Sequence, residues 1–232
     1  MAISANTRKN LFGLTALSAW AGFGLSLVIE IFYLVPYKSG VPSLYGTQPA
    51  GWSGSFGRVI DLLSYFTIWS QLVVGIVMGL LFLNPLRDSP RLRIFLVDAV
   101  LMISVTGIVY NLMIGPKFPP RGINVYSSFL EHTFTPILMV VVFLVVGPRD
   151  WFSKITVRQG LYLPIGYIFY ALIRGSLIDQ YPYDFIDVVQ YGYLVVIVTV
   201  LVILSAALVM LLLYWFIDSR LSKSTVNSRN LS

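Results

Sequence analysis

The chain has no cysteine and a single histidine, His132, among its 232 residues. Without cysteine there are no disulfides, no thiolate nucleophile and no cysteine-ligated metal. One histidine excludes a bis-histidine haem bundle and histidine-rich metal centres, so neither a cofactor nor a metal is expected. Charge is scarce as well. Asp, Glu, Lys and Arg make up 11% of the residues, against about 25% in soluble domains. The net charge of +6 does not point to nucleic acid, because the basic residues sit in short loops between apolar runs, where they act as topology signals.

What the chain does have is long apolar runs, with 57% hydrophobic residues overall. The runs are about twenty residues long, the length a membrane-crossing helix needs. They predict a single all-α domain, an integral membrane bundle of six transmembrane helices. The approximate spans are 11–34, 58–83, 92–114, 126–146, 160–178 and 188–217. Ala19-Trp20-Ala21 loosely resembles a signal-peptidase site, but the apolar run continues well past it, which predicts a retained first helix. Asn84-Pro85, Gly115-Pro116 and Gly147-Pro148 stop the second, third and fourth helices. Residues 36–57 carry Pro36, Pro42, Pro49 and five glycines, the composition of a loop with a re-entrant or interfacial part. The tail 218–232 is Ser- and Asn-rich and is expected to be disordered. With the N-terminus inside, the inner loops and termini hold eleven of the sixteen Lys and Arg residues, and the outer side holds Lys38, Arg58, Lys117, Arg121 and Arg174. That asymmetry predicts both termini in the cytoplasm.

Polar residues inside the apolar runs stand out against this background. Asp61, Ser64, Thr67 and Gln71 recur at spacings of three and four, which puts them on one face of a continuous helix. Such a stripe should face the bundle interior, since an unpartnered polar group in hydrocarbon costs several kcal/mol. Thr67 and His132 fall at similar depths, roughly 13 and 9 Å into their helices from the outer side. Glu30, Asn111, Arg174 and Asp187 lie toward the same ends of their helices, and Glu131, Tyr170 and Tyr183 complete the polar layer. The inner half has far less, chiefly Asp98. The expectation is that Thr67 and His132 meet in a pocket within the membrane. Duller accounts exist for each residue. Thr67 could bond back to its own helix, and His132 could simply join two helices. Glu131 could face a headgroup or Arg121, Glu30 could pair with Arg174, and Asp98 could bond a neighbouring helix.

Three stretches together carry a family resemblance. They are Tyr65-Phe66-Thr67-Ile68-Trp69-Ser70-Gln71, Glu131-His132-Thr133-Phe134-Thr135-Pro136 and Tyr181-Pro182-Tyr183-Asp184-Phe185-Ile186-Asp187. They resemble the bacterial Pr6Pr membrane proteins, which look like relatives of the eukaryotic AIG1/ADTRP (FAR-17a) group, with the same six-span plan over most of the chain. The resemblance implies a bacterial cell-membrane protein. It also implies an activity, hydrolysis of fatty acid esters of hydroxy fatty acids by an intramembrane Thr and His. By motif position these are Thr67 and His132.

An alcohol is a poor nucleophile until a base takes its proton, and neutral His132 could do this for Thr67. A third group usually orients the histidine. Asp187 and Asp61 are candidates, with Glu131 ranked last because its neighbouring position points it about 100° away on a helix. Ser64, Gln71, Asn111 or a tyrosine could stabilise an oxyanion, and Arg174 could bind a substrate carboxylate. The implied partners are a lipid ester or fatty acid and the membrane lipids. The alternatives are a small-solute or lipid transporter, which should show internal repeats and polarity through both leaflets, and a non-catalytic lipid-binding protein.

Overall fold

The structure, a computed structural model, describes residues 4–36, 44 and 47–229. Lys38 and Pro42, both in the expected outer loop, lie outside the described residues. Among those described there is no strand. Six helical stretches are long and apolar enough to cross a membrane: Ala5–Phe32, Phe66–Leu83, Pro90–Ile114, Asn124–Val146, Lys154–Ile178 and Val188–Lys223. The chain is an all-α bundle of multi-pass membrane type.

We number its helices α1 (Ala5–Phe32), α2 (Ser55–Leu62), α3 (Phe66–Leu83), α4 (Pro90–Val109), α5 (Asn124–Phe129), α6 (Thr135–Val146), α7 (Lys154–Gln159), α8 (Tyr162–Ile178) and α9 (Val188–Arg229). Local chemistry sets several of the ends. Ser4 caps α1 by accepting from the Thr7 N–H, and Ser89 caps α4 just before Pro90. Ser153 and Thr156 cap α7 reciprocally. Two π-helical turns, Tyr110–Ile114 and Leu130–Phe134, extend α4 and join α5 to α6.

The core is built on α4, the most buried span. Val100 and Ile103 pack among Phe12 and Ala19 of α1, Val74 and Met78 of α3, and Met139 and Phe143 of α6. Lipid is as apolar as these side chains, so tight packing and polar contacts, rather than removal from water, hold such helices together. Gly107 shows how close the approach is: a Cβ there would sit 2.8 Å from Pro136 Cβ, against the helix that carries His132. The spans containing α8 and α9 are the least buried and form the most exposed flank of the bundle. Gly192, at φ 74°, breaks the helical geometry near the start of α9, a backbone region that favours glycine.

At one end of the bundle Lys9 lies over Phe82 and Arg93 over Trp151. There the buried Asp218 carboxylate accepts the Trp151 and Phe152 N–H groups, each at 3.1 Å. That clamp fixes α9 at Asp218, and the helix runs on to Arg229. The tail expected to be disordered, 218–232, thus begins at this clamp, and 230–232 lie outside the described residues. At the opposite end Arg58 is fully buried. Its guanidinium donates to the carbonyls of Glu30 at 2.8 Å, Gly51 at 2.7 Å and Pro49, which straps residues 49–51 to the end of α1.

The unbroken helix expected over 58–83 is not what forms. Helical geometry stops after Leu62 and restarts at Phe66, with Tyr65 extended. The break survives inside the bundle because the freed carbonyls find donors. Leu63 O accepts from Trp69 Nε1 at 2.9 Å, and Ser64 O accepts from Tyr167 Oη at 3.0 Å. Irregular backbone at membrane depth is tolerated where protein satisfies it in this way.

Candidate active site

The break decides the surroundings of Thr67. In the unbroken bundle helices, Thr15, Ser70 and Ser104 donate to the carbonyl four residues back. Thr67 lies in the first turn of α3, and the corresponding carbonyl, that of Leu63, lies across the break and is taken by Trp69. Its hydroxyl turns instead to His132, with Oγ1 3.3 Å from Nε2. Thr67 is nearly buried and His132 half-buried.

His132 is held from three sides. Nδ1 lies 3.0 Å from the Ser128 carbonyl and 3.2 Å from Ser128 Oγ. A carbonyl can only accept, so in the neutral imidazole the proton sits on Nδ1 and the Nε2 lone pair faces the Thr67 hydroxyl. Ser128 Oγ in turn donates to Tyr110 Oη at 2.7 Å. The Tyr110 ring stacks on the imidazole, 3.6 Å between centroids and 14° from parallel. The geometry is that of a hydroxyl and a base of fixed tautomer.

No known family, curated protein or solved structure matches this chain.

Pro136 explains the π-helical turn beneath His132. Proline has no N–H, so it leaves carbonyls unfilled in the preceding turn. His132 O is four residues before it and Glu131 O five, the reach of a π-turn bond. Asn111 Nδ2 donates to His132 O at 2.7 Å, and Gln71 Nε2 donates to Glu131 O at 2.8 Å. Asn111 Nδ2 also donates to Gly107 O at 2.8 Å, so both of its N–H groups are spent within the helices and neither is left for the oxyanion that the sequence suggested, while one N–H of Gln71 is committed to Glu131 O. Ser64 is occupied too, its hydroxyl bonding Ile60 O and Tyr170 Oη. A tyrosine, the fourth suggestion, remains. Tyr183 Oη lies 3.4 Å from the Thr67 N–H and faces the cleft beside Thr67. Burial raises the Tyr183 phenol above its ordinary pKa, and hydrogen bonds with Thr67 draw it back. It therefore stays protonated at neutral pH and can donate.

The carboxylates lie elsewhere. Asp187 caps the start of α9, accepting from Gln190 N at 3.1 Å. Asp61 Oδ1 pairs with Arg174 Nη2 at 2.5 Å, and its Oδ2 accepts from Gln48 at 3.0 Å. Each carboxylate is committed away from the imidazole, because helix capping and ion pairing claimed it. The suggested Glu30–Arg174 pair is corrected to Asp61–Arg174, and Arg174 Nη1 is left buried without a partner. Glu30 is buried, with its backbone carbonyl on Arg58. Glu131 faces neither a headgroup nor Arg121. It is buried against α1, where Oε1 accepts from Ser26 Oγ at 2.7 Å, and Gly22 lets the helices meet there. Asp98 is buried with no hydrogen-bond partner for Oδ1, so the neighbouring-helix bond suggested for it is not seen at that oxygen.

Sequence reading missed Ser128, Tyr110 and Ser26. Ser128 had a signal, since it sits one helical turn before His132. Tyr110 and Ser26 come from other helices and had none. Among the described residues no cluster of His, Asp and Glu could hold a metal.

Proposed function

We propose that the chain is an intramembrane threonine-type lipid ester hydrolase, akin to the Pr6Pr proteins and the AIG1/ADTRP group that its motifs resemble. One observation carries the reading. A threonine hydroxyl released from its own helix lies 3.3 Å from the free nitrogen of a histidine whose other nitrogen is committed to a backbone carbonyl.

In this reading Thr67 Oγ1 attacks the ester carbonyl carbon as its proton passes to His132 Nε2. Charge gathers on the former carbonyl oxygen, where Tyr183 Oη donates, aided by the positive end of the α3 dipole. The tetrahedral species collapses, the bond to the leaving alkoxide breaks, and His132 returns the proton to it. A water molecule then gives its proton to His132 and attacks the acyl-threonine carbonyl. The products are a fatty acid and an alcohol, and Thr67 is regenerated. The Ser128 carbonyl does the orienting work that a carboxylate does in serine triads. Suitable substrates are fatty acid esters of hydroxy fatty acids and similar lipid esters. They would reach the site laterally from the outer leaflet of a bacterial cell membrane, with both termini cytoplasmic.

The test is labelling of the detergent-purified protein with a lipophilic fluorophosphonate, mapped by intact and peptide mass, alongside ester turnover. We expect one adduct, on Thr67, absent from Thr67→Ala and from His132→Ala, and no turnover in either variant. Turnover that survives in both variants would remove Thr67 and His132 as its source, and neither adduct nor turnover in the unsubstituted protein would move it to the lipid-binding or transport readings.

A further inference from the structure

A cleft runs inward from Thr67 that the hydrolytic chemistry does not use. Phe66, Thr67, Tyr110 and Tyr183 stand at its outer end. Its innermost lining residues come from three helices: Leu101 of α4, Pro164 of α8 and Ala207 of α9. Leu101 lies nine residues before Tyr110, the residue stacked on His132, so the cleft reaches about 14 Å below the level of the imidazole. On α8, Pro164 lies ten residues before Arg174, which meets Asp61, giving about 15 Å. The inner end is closed, since Leu101 and Ala207 both belong to the buried core.

The lining is polar only at the Thr67 end. Thr67, Thr106, Tyr110, Tyr167 and Tyr183 carry the hydroxyls, and the rest is aliphatic or Phe. The volume is about 80 Å³, well under the roughly 300 Å³ at which drug-sized pockets begin. A narrow, deep, apolar slot with hydroxyls at one end fits an amphipathic ligand that has one unbranched tail. It does not fit a ring system or two chains side by side.

We propose that this slot takes the acyl chain of the ester, tail inward, and that Ala207 with Leu101 sets the longest chain accepted. The proposal rests on the hydrolase reading for its orientation, because the scissile carbonyl sits at Thr67 while the tail points toward the bundle centre. Ala207 is the sensitive position: it is the smallest side chain at the floor, and any enlargement projects into the slot.

Two readouts separate this proposal from the hydrolase reading. The first is turnover of 4-methylumbelliferyl esters graded from butyryl to palmitoyl by the unsubstituted chain, by Ala207→Leu and by the milder Ala207→Val. The second needs no catalysis: a diazirine-tagged lauric acid and its octanoic analogue are crosslinked to Thr67→Ala and to the Thr67→Ala, Ala207→Leu double variant. We expect adducts on the segments 101–114 and 200–207. Ala207→Leu should lower lauroyl turnover and laurate crosslinking by about tenfold or more relative to the short chains, since a chain of about twelve carbons just fills the slot; that is the effect of one or more methylenes in a fitted pocket. Ala207→Val should shift the same way by less. An equal loss at every chain length, an unchanged preference, or adducts confined to the outer surface would overturn the slot and leave the hydrolase reading standing. Absence of ester turnover in the unsubstituted protein, with the crosslinking shift intact, would instead remove the hydrolase reading and keep the slot.

Discussion

At the scale of single residues, the candidate site differs from a serine triad in what holds the base. Asp187 is the last residue of the third motif, yet its carboxylate caps α9, and the imidazole Nδ1 rests on the Ser128 carbonyl. Asparagine caps a helix as well as aspartate does. Asp187→Asn should therefore leave turnover within about threefold of the parent, whereas losing a true triad carboxylate costs about 10⁴. Steady-state kinetics on a soluble ester analogue decide between these outcomes, and a fall of three decades or more would refute the carbonyl-oriented dyad. Tyr183 carries the opposite expectation. Tyr183→Phe keeps the ring stacked on Phe185 and removes only the donor. It should lower kcat by about 10² to 10³, as loss of one oxyanion donor does, with KM nearly unchanged. A KM effect alone would mean that the hydroxyl binds substrate and takes no part in the transition state.

At the scale of helices, the decisive features are a break and a proline. The six apolar runs were legible because a membrane helix must be long and apolar whatever its neighbours. The convergence of Thr67 and His132 followed from their similar depth along two helices that run in the same direction, the second and fourth crossings. The interruption at residues 63–65 was not legible, because what permits it comes from outside the local sequence: the Trp69 indole and the Tyr167 hydroxyl fill the vacated carbonyls. Nor were the partners of Gln71 and Asn111, although Pro136 hinted at them, since a proline inside a helix must leave carbonyls that something else satisfies. These two amides read as oxyanion donors from spacing alone, yet they hold the turn that carries His132. Gln71→Leu would leave the buried Glu131 carbonyl without a donor at nearly constant volume. The expected cost is about 1 to 3 kcal/mol of stability, seen as a lower unfolding midpoint in detergent, together with weaker fluorophosphonate labelling of Thr67 as the turn relaxes. An unchanged midpoint would show that the carbonyl finds another partner and that the amide is not structural.

At the scale of the whole molecule, the question is which end faces the cell interior. The uneven distribution of Lys and Arg favours the end bearing Arg8, Lys9, Arg93 and Lys154. The structure sharpens that asymmetry. Of the five basic residues at the other end, Arg58 is buried on backbone carbonyls and Arg174 is committed to Asp61. Among the described residues only Lys117 and Arg121 then remain there as free surface cations. With an even number of crossings both termini share a side, and the expected orientation then turns the Thr67 end of the bundle outward. The absence of native cysteine makes this directly measurable, since any introduced thiol is the only one in the chain. Ser53 and Asn84 are exposed at opposite ends, so Ser53→Cys and Asn84→Cys report the two sides. A membrane-impermeant maleimide should label Ser53→Cys in intact spheroplasts and Asn84→Cys only in inverted vesicles. The reverse pattern would turn the bundle over. It would place the Thr67–His132 pair in the inner leaflet, where its lipid ester would have to come from the cytoplasmic face.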